Sequence, residues 1–265
     1  MSAAQSPDAS PPLLREDCDG VATLTLNRAP ARNALSMALM AALQQALDGI
    51  AADPRIRVVI LKGAGPAFCA GHDLKEMRAD PGPAAVEAVF RACSRLMLTI
   101  TRLPQPVIAQ VHGIATAAGC QLVATCDLVV CAADARFATP GVHIGLFCST
   151  PMVALSRAVG RKAALEMLLL GDPIDGPEAH RIGLVNRVVP GAELEGAVRT
   201  MAERIAAKSG RVLAIGKEAF AAQCALDLEE AYAYTAGVMT RNMMLDDAAE
   251  GIDAFLQKRA PRWSA

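Results

Sequence analysis

Hydrophobic and polar positions follow two different periods over the first two thirds of the chain. Four apolar runs have the length of buried strands: residues 21–26, 57–61, 106–111 and 128–131. Three segments between them have the apolar spacing or the small-residue composition of helices: residues 36–52, 84–102 and 116–125. Strands that alternate with helices are typical of a parallel sheet covered by helices. The pattern therefore predicts an α/β core.

The pattern becomes wholly helical after Val189. Four segments have a helical period here: residues 193–208, 212–224, 228–243 and 246–258. The sequence therefore predicts a β/α core over residues 13–190 and a helical subdomain over 191–265. Residues 1–12 contain three prolines and Asp8 but neither Arg nor Lys, which predicts a disordered tail and not an Arg-rich transit peptide.

Composition narrows the classes of function. The 26 basic residues are balanced by 27 acidic ones, which argues against a nucleic-acid face. The apolar runs are too short to span a membrane. Eight cysteines occur without a C-x-x-C pair, so neither a zinc ribbon nor a thioredoxin-type site is expected. We interpret them as reduced residues of a cytoplasmic protein, with no metal or redox cofactor.

Two transitions from strand to helix are rich in Gly and Ala. The first, AFCAGHDLKEM, covers residues 67–77, and the second, HGIATAAGCQ, covers residues 112–121. Small residues let a ligand approach the backbone, and the first turn of a helix has unpaired N–H groups that favour negative charge. Two such turns side by side would present two N–H donors to one oxygen atom, which is an oxyanion hole.

Three segments resemble, in order and spacing, core motifs of the crotonase family of enoyl-CoA hydratases and isomerases. They are FCAGHDLKEM, HGIATAAGCQLVATCDLVV and ARFATPGVHIGL, and the resemblance extends from about residue 13 to the C-terminal KRAPRW. It implies a spiral of ββα turns with a C-terminal helical subdomain for oligomerisation. It also implies a homotrimer or a dimer of trimers, and an acyl-CoA ligand in which coenzyme A is part of the substrate and no separate cofactor is needed.

The resemblance also assigns the site residues. It places the two N–H donors of the oxyanion hole at Ala70 and Ala118, where relatives usually carry Gly at the second position. The phosphates of coenzyme A would pair with Arg28 or Arg32 near one end of the ligand. A C-terminal basic residue, Lys258, would reach a phosphate. The expected contacts to coenzyme A are Arg28, Arg32, Ala70, Asp73, Leu74 and Lys258.

The chain departs from the family pattern at the acid–base positions. Hydratases of the family use two glutamates, which align with Gln121 and Gly141. An amide cannot accept a proton near neutral pH, and glycine has no side chain. One missing acid–base group typically costs about 10²–10⁴ in rate, so the usual hydration mechanism is not expected. His143 is the first candidate to replace the glutamates, although a His at such a turn is more often structural.

Several functions remain open from the sequence. The protein is either an enzyme whose hydratase or isomerase activity is weak or replaced, or a non-catalytic protein that binds acyl-CoA. A malonyl-type decarboxylase is a further alternative, because loss of CO₂ forms an enolate with the oxyanion hole alone. A trimeric scaffold with a vestigial site is the weakest of these hypotheses.

Overall fold

The expected alternation of strands and helices is present in the computed structural model, which describes residues 10–264. The strands are β1 (Leu13–Cys18), β2 (Val21–Leu26), β3 (Val58–Gly63), β4 (Val107–Val111), β5 (Ile114–Thr116), β6 (Leu128–Ala132), β7 (Arg136–Ala138), β8 (Ile174–Asp175) and β9 (Arg187–Val189). The helices are α1 (Met37–Ala51), α2 (Leu74–Ala79), α3 (Pro83–Arg102), α4 (Ala118–Thr125), α5 (Ser149–Ala158), α6 (Arg161–Leu170), α7 (Gly176–Arg181), α8 (Leu194–Ala206), α9 (Gly210–Gln223), α10 (Leu228–Met243) and α11 (Asp246–Leu256).

The strands form two sheets that the chain visits in turn. The larger sheet has the order β1-β2-β3-β4-β6-β9, and all its pairs are parallel except β1–β2. The smaller sheet has the order β5-β7-β8. Since β4 and β6 belong to the larger sheet while β5 and β7 belong to the smaller one, the chain winds as a spiral. The predicted α/β spiral is thereby confirmed.

Helices cover both faces of the larger sheet. Helices α1 and α3 bury their apolar faces in the main core, and Ser36 caps α1 by accepting a hydrogen bond from the Leu39 N–H at 3.2 Å. On the other face, α8 packs Val198 and Ala202 against the sheet residues Val58 and Ile108. Although α8 lies beyond the predicted boundary at residue 190, its packing joins it to the core, and α9–α11 form the helical extension.

Lys217, whose side chain is largely buried, connects this helical extension to the core. Lys217 on α9 bonds to the Asp127 carboxylate at 2.6 Å, and also to the carbonyl oxygens of Ile100 and Gln105 at 3.0 and 3.2 Å. These three acceptors lie at the end of α3, before β4 and before β6. One ammonium group therefore ties α9 to three successive segments of the core.

The N-terminal boundary differs from the prediction. Residues 1–9 of the expected tail lie outside the described residues, but Pro11 and Pro12 are fixed. Asn27 donates from its side chain to the Pro11 carbonyl at 2.9 Å and from its backbone to the Pro12 carbonyl at 2.7 Å. The predicted boundary at residue 13 is therefore too late, because Asn27, directly after β2, supplies partners for these carbonyls.

The cysteines lie where an apolar residue would. All eight are free thiols, and six of them are buried: Cys69, Cys93, Cys120, Cys126, Cys131 and Cys148.

Between residues 10 and 264, no helix combines the length and the apolar composition needed to cross a membrane. The same part of the chain contains no group of three or more His, Cys, Asp or Glu side chains arranged to hold a metal ion.

Candidate active site

The two Gly/Ala-rich turns lie directly against each other. The Thr116 N–H donates to the Cys69 carbonyl at 3.0 Å, and the Cys69 N–H donates to the Ile114 carbonyl at 3.1 Å. Gly119, in the first turn of α4, lies so close to the Cys69 carbonyl oxygen that an added Cβ would overlap it. The start of α4 is therefore pressed onto the turn that precedes α2, as an oxyanion hole made of two turns requires.

Ala70 does not supply one of the donors. Its N–H donates to the Arg32 carbonyl at 3.0 Å, which commits it to the framework. Two residues further on, the His72 N–H has no acceptor within residues 10–264. Between them, a Cβ added to Gly71 would lie 3.5 Å from the Ala118 nitrogen. The prediction for Ala70 is therefore wrong, and the candidate in this turn is the His72 N–H, which follows Gly71 near the start of α4.

Ala118 has the position expected of the second donor. It is the first residue of α4, so its N–H has no carbonyl of the helix to bond to. The preceding Ala117 has φ 50° and ψ −117°, a region that glycine normally occupies and that costs other residues about 1–3 kcal/mol. The strained Ala117 turns the backbone sharply between β5 and α4. That turn places the free Ala118 N–H next to the Gly71–His72 segment.

Gln121 lies one helical turn after Ala118 and is buried. Its Oε1 atom is 3.9 Å from the Cys93 Sγ on α3. Burial raises the pKa of Cys93 to about 12, so this thiol stays protonated and faces the amide oxygen as a weak donor. Gln121 thus turns its carbonyl end towards α3 and has no group that takes up a proton near neutral pH.

Gly141 occupies a space that other atoms already fill. An added Cβ would lie 2.9 Å from both the Cys148 Sγ and the Leu146 carbonyl oxygen. Because one of these neighbours is backbone, a longer side chain at residue 141 would require the following loop to move. The second acid–base position therefore lacks a side chain and also lacks space for one, because the Cys148 thiol lies next to Gly141.

His143 lies on the surface beside the end of α6. Its side chain is 53% exposed, and its Nε2 atom is 3.9 Å from an Asp172 carboxylate oxygen. Its ring also contacts Gly171. The structure does not bring His143 to the two turns, so its proposed role as the replacement base is corrected. Burial also raises the pKa of the nearby Cys148 thiol, which keeps that side chain protonated near neutral pH.

The side chain of His72 is a feature that sequence reasoning missed. Its ring lies edge-on to Phe90 of α3, with 5.4 Å between ring centroids and an interplanar angle of 89°. Both ring nitrogens are buried, and neither has a hydrogen-bond partner in the described part of the chain. Burial lowers the pKa of His72, so the imidazole is neutral at pH 7. The position within the turn was the only signal in the sequence.

Comparison with known proteins identifies the family. A profile described as enoyl-CoA hydratase/isomerase matches residues 16–265. The chain belongs to the enoyl-CoA hydratase/isomerase family. It is 47% identical to human enoyl-CoA hydratase domain-containing protein 3, mitochondrial, over 96% of this chain and 84% of that protein. This confirms the crotonase resemblance seen in the sequence.

Solved structures of this family have the same fold. An enoyl-CoA hydratase from Mycobacterium smegmatis is 54% identical and superposes with a TM-score of 0.94, over 96% of this chain and 99% of that one. The human domain-containing protein 3 is 47% identical with a TM-score of 0.93, over 95% of this chain and 100% of that one.

The cytoplasmic location expected from the sequence is contradicted by the relatives. The rat, mouse, human and frog proteins that this family member resembles are mitochondrial by name. Neither reduced cysteines nor the composition of a short N-terminal segment separates the two compartments. The cytoplasmic assignment is therefore withdrawn.

The residues expected to hold coenzyme A in this family divide into two groups. Arg28 bonds to the Ala34 carbonyl at 2.5 Å and to the Asp73 carboxylate at 2.9 Å. Asp73 also caps α2, and the Arg28 guanidinium lowers the pKa of Asp73. This pair therefore belongs to the framework of the turn. Arg32 and Leu74 are exposed beside it, so they remain open to a ligand.

Lys258 lies at the end of α11, far along the chain from both turns. It is exposed, and the neighbouring Arg259 forms an ion pair with Glu250 at 2.7 Å. The last residues are tied to the end of α8, where the Trp263 Nε1–H donates to the Ala207 carbonyl at 2.8 Å. These contacts hold the segment to the C-terminal helices, and a phosphate contact by Lys258 stays a prediction.

The close contact at Gly119 yields a prediction about stability. Replacing Gly119 by Ala drives a methyl group into the Cys69 carbonyl, so we expect the free energy of unfolding to fall by about 3 kcal/mol, as in overpacked cores. Urea denaturation measures this change. The matched control is Gly216→Ala in α9, where an added Cβ meets nothing within 4 Å and stability should rise by about 0.5–1 kcal/mol. Equal effects of the two substitutions would contradict the assigned packing.

Proposed function

We propose that this protein binds an acyl-CoA thioester and holds its carbonyl oxygen between the His72 and Ala118 backbone N–H groups. One observation supports the proposal: the backbone amides of His72 and Ala118, which have no acceptor within residues 10–264, belong to the two turns that lie against each other. The free N–H of Ala118 also stands at the N-terminus of α4, where the helix dipole favours negative charge. Such donors stabilise the enolate that forms when a proton or a carboxyl group leaves the α-carbon.

Hydration by two carboxylates is not part of the proposal. Gln121 cannot exchange a proton, and the space at Gly141 is filled by Cys148 and the Leu146 carbonyl. Each missing acid–base group lowers a rate by about 10²–10⁴, so the usual hydratase reaction should be weak. The site retains carbonyl polarisation and loses the proton transfers that hydration needs.

Decarboxylation of a malonyl-type thioester is the second candidate. It is favoured by the replacement of both glutamates with uncharged residues, Gln121 and Gly141, because a carboxylate at either position would repel the substrate's own carboxylate. Loss of CO₂ leaves its electron pair on the thioester, so the enolate forms without a base. A non-catalytic binding protein is the outcome if neither reaction occurs.

Binding of crotonyl-CoA labelled with ¹³C at the thioester carbonyl tests the proposal. We expect calorimetric binding and an infrared carbonyl band shifted to lower frequency, because two hydrogen bonds weaken the C=O bond. The absorbance of the conjugated thioester should persist at saturation. The control is the coenzyme A thioether of the same chain, which has no carbonyl to polarise.

Three outcomes would count against the proposal: no binding, binding with an unshifted carbonyl band, or hydration at the rate of an ordinary hydratase. The same samples supplied with malonyl-CoA test the second candidate. Release of CO₂ supports decarboxylation, and its absence together with a shifted carbonyl band removes that candidate.

Arg32 is proposed to bind a phosphate of coenzyme A, whereas Arg28 supports the turn. We expect Arg32→Ala to weaken binding of crotonyl-CoA by about tenfold with an unchanged melting temperature, since a charge-assisted hydrogen bond contributes about 1.5–3 kcal/mol. Arg28→Ala should instead lower the melting temperature, because it leaves Asp73 unpaired. Calorimetry and thermal denaturation measure the two effects. Unchanged affinity in Arg32→Ala would exclude the assigned contact.

Oligomerisation is proposed from the surface of the C-terminal helices. Large apolar side chains there are strongly exposed: Phe220 71%, Leu228 75%, Tyr232 71%, Phe255 82% and Leu256 71%. Monomers rarely expose so many apolar side chains on neighbouring helices. We therefore propose that α9–α11 pack against other copies in a homotrimer or a dimer of trimers.

Light scattering of the eluting protein tests this assembly. The wild-type protein should have three or six times the mass of one chain, and Phe255→Glu should shift it towards one chain, because a buried carboxylate at the interface would be unpaired. Gln45→Glu adds the same charge on the exposed face of α1 and serves as the control. A monomeric wild-type protein would disprove the proposed assembly.

A further inference from the structure

The imidazole of His72 is a buried polar group without a partner in the described chain. It lies against Phe90 with the Leu35 backbone as a polar neighbour, and neither Nδ1 nor Nε2 has a partner at hydrogen-bond distance and angle within residues 10–264. Leaving such a group unsatisfied costs about 1–3 kcal/mol. Each such group needs an explanation, and a catalytic role or a bound ligand is one of the usual ones.

The ring also lies on the side of the site where chemistry would occur. Phe90, which contacts the His72 ring, and Cys93, which contacts Gln121, are one turn apart on the same face of α3. His72 and Gln121 therefore lie beneath neighbouring positions of one helix. The same face of α3 thus packs over both the imidazole and the amide of Gln121.

Covalent geometry brings the ring near the α-carbon of a bound thioester. The backbone N–H of His72 is the proposed donor to the thioester oxygen, and the ring of the same residue stays within a few ångströms of that N–H. The α-carbon of the acyl group is two bonds from the oxygen. An oxygen held by His72 therefore brings the acyl group to this residue, and its two side-chain torsions then set the distance from a ring nitrogen to the α-protons.

We propose that the His72 imidazole is the base that removes an α-proton from the bound acyl-CoA, which rests on the proposed binding of the thioester between His72 and Ala118. A ring nitrogen uses its lone pair to take the proton. The C–H electron pair forms the C=C bond of an enolate, and the carbonyl π electrons move to the oxygen held by the two amides. Return of a proton from the imidazolium to carbon restores both partners.

The surroundings keep this imidazole neutral and able to accept a proton. Burial has the larger effect and lowers the pKa of His72, whereas the polar contact with the Leu35 backbone raises it. Charged groups on neighbouring elements have partners: Asp73 pairs with Arg28, Glu87 pairs with Arg91 on α3, and Glu76 accepts from the Met37 N–H. The two nearby thiols are uncharged, because burial raises the pKa of both Cys69 and Cys93 to about 12. The His72 ring therefore takes up a proton from solvent at a lower pH than an ordinary histidine does.

Exchange of α-protons in D₂O tests the proposal. Butyryl-CoA has α-protons but no double bond, so proton NMR follows their replacement by deuterium without hydration. The wild-type protein should catalyse this exchange above the buffer rate. His72→Gln keeps the backbone N–H and should lower the exchange rate by about 10²–10⁴, while binding and the infrared carbonyl shift are retained. His180→Gln, at an exposed position on α7, is the matched control and should exchange at the wild-type rate.

The pH profile separates a base from a structural residue. The neutral imidazole is the active form, so the exchange rate should rise with pH through an inflection below 6.5 and remain level near neutrality. His72→Phe keeps a ring against Phe90, so a loss of exchange in this variant cannot come from lost packing. Binding of butyryl-CoA with a shifted carbonyl but without exchange would overturn the role of His72 alone. Exchange at the wild-type rate in His72→Gln would do the same, and absence of binding would overturn the proposed function itself.

Discussion

The contact between the first turn of α4 and the turn before α2 is the constraint on which the site depends. Gly119 touches the Cys69 carbonyl at a distance that no side chain allows, and backbone hydrogen bonds between Cys69 and the strand β5 hold the two segments in register. Packing at this distance leaves little freedom in either backbone. As a result, the backbone at Gly71–His72 and at Ala118 is held in place before any ligand binds, which is the preorganisation that the proposed oxyanion hole would require.

The same packing is accompanied by backbone strain at Ala117. Its backbone lies in a region normally reserved for glycine, and the strain is concentrated at the residue that aims α4 at the other turn. Strain at this point occurs in the same region as the unpaired backbone amides and the imidazole of His72, and this coincidence supports the proposed ligand site.

Uncharged residues occupy both positions at which the family resemblance implies a carboxylate, Gln121 and Gly141. Gln121 contacts the protonated thiol of Cys93, and Cys148 fills the space next to Gly141. The family resemblance of the chain therefore extends to the fold and to the two Gly/Ala-rich turns, but not to the pair of carboxylates that the resemblance implies. Fold and reaction separate at this point, because the donors belong to the backbone while proton transfer depends on individual side chains.

The sequence by itself determined the larger elements and the family. Long segments with a clear period were predicted closely: Leu228–Met243 agrees at both ends, and α3 and β4 begin within one residue of the prediction. The strand β1 was missed because it lies at the edge of the sheet and five of its six residues are exposed. Burial therefore imposes no alternation of apolar and polar residues on it. Gln121 and Gly141 were also readable, since their chemistry is a property of residue type.

Only the tertiary structure decided which groups are free to act. The hydrogen bond from Ala70 to Arg32, the ion pair of Arg28 with Asp73 and the exposure of His143 all join or separate residues that the sequence cannot relate. His72 acquires its environment from α3, which follows it in the chain and folds back over it. A motif fixes which residues are present, whereas the partners that commit an N–H, a carboxylate or an imidazole come from distant segments brought together by packing.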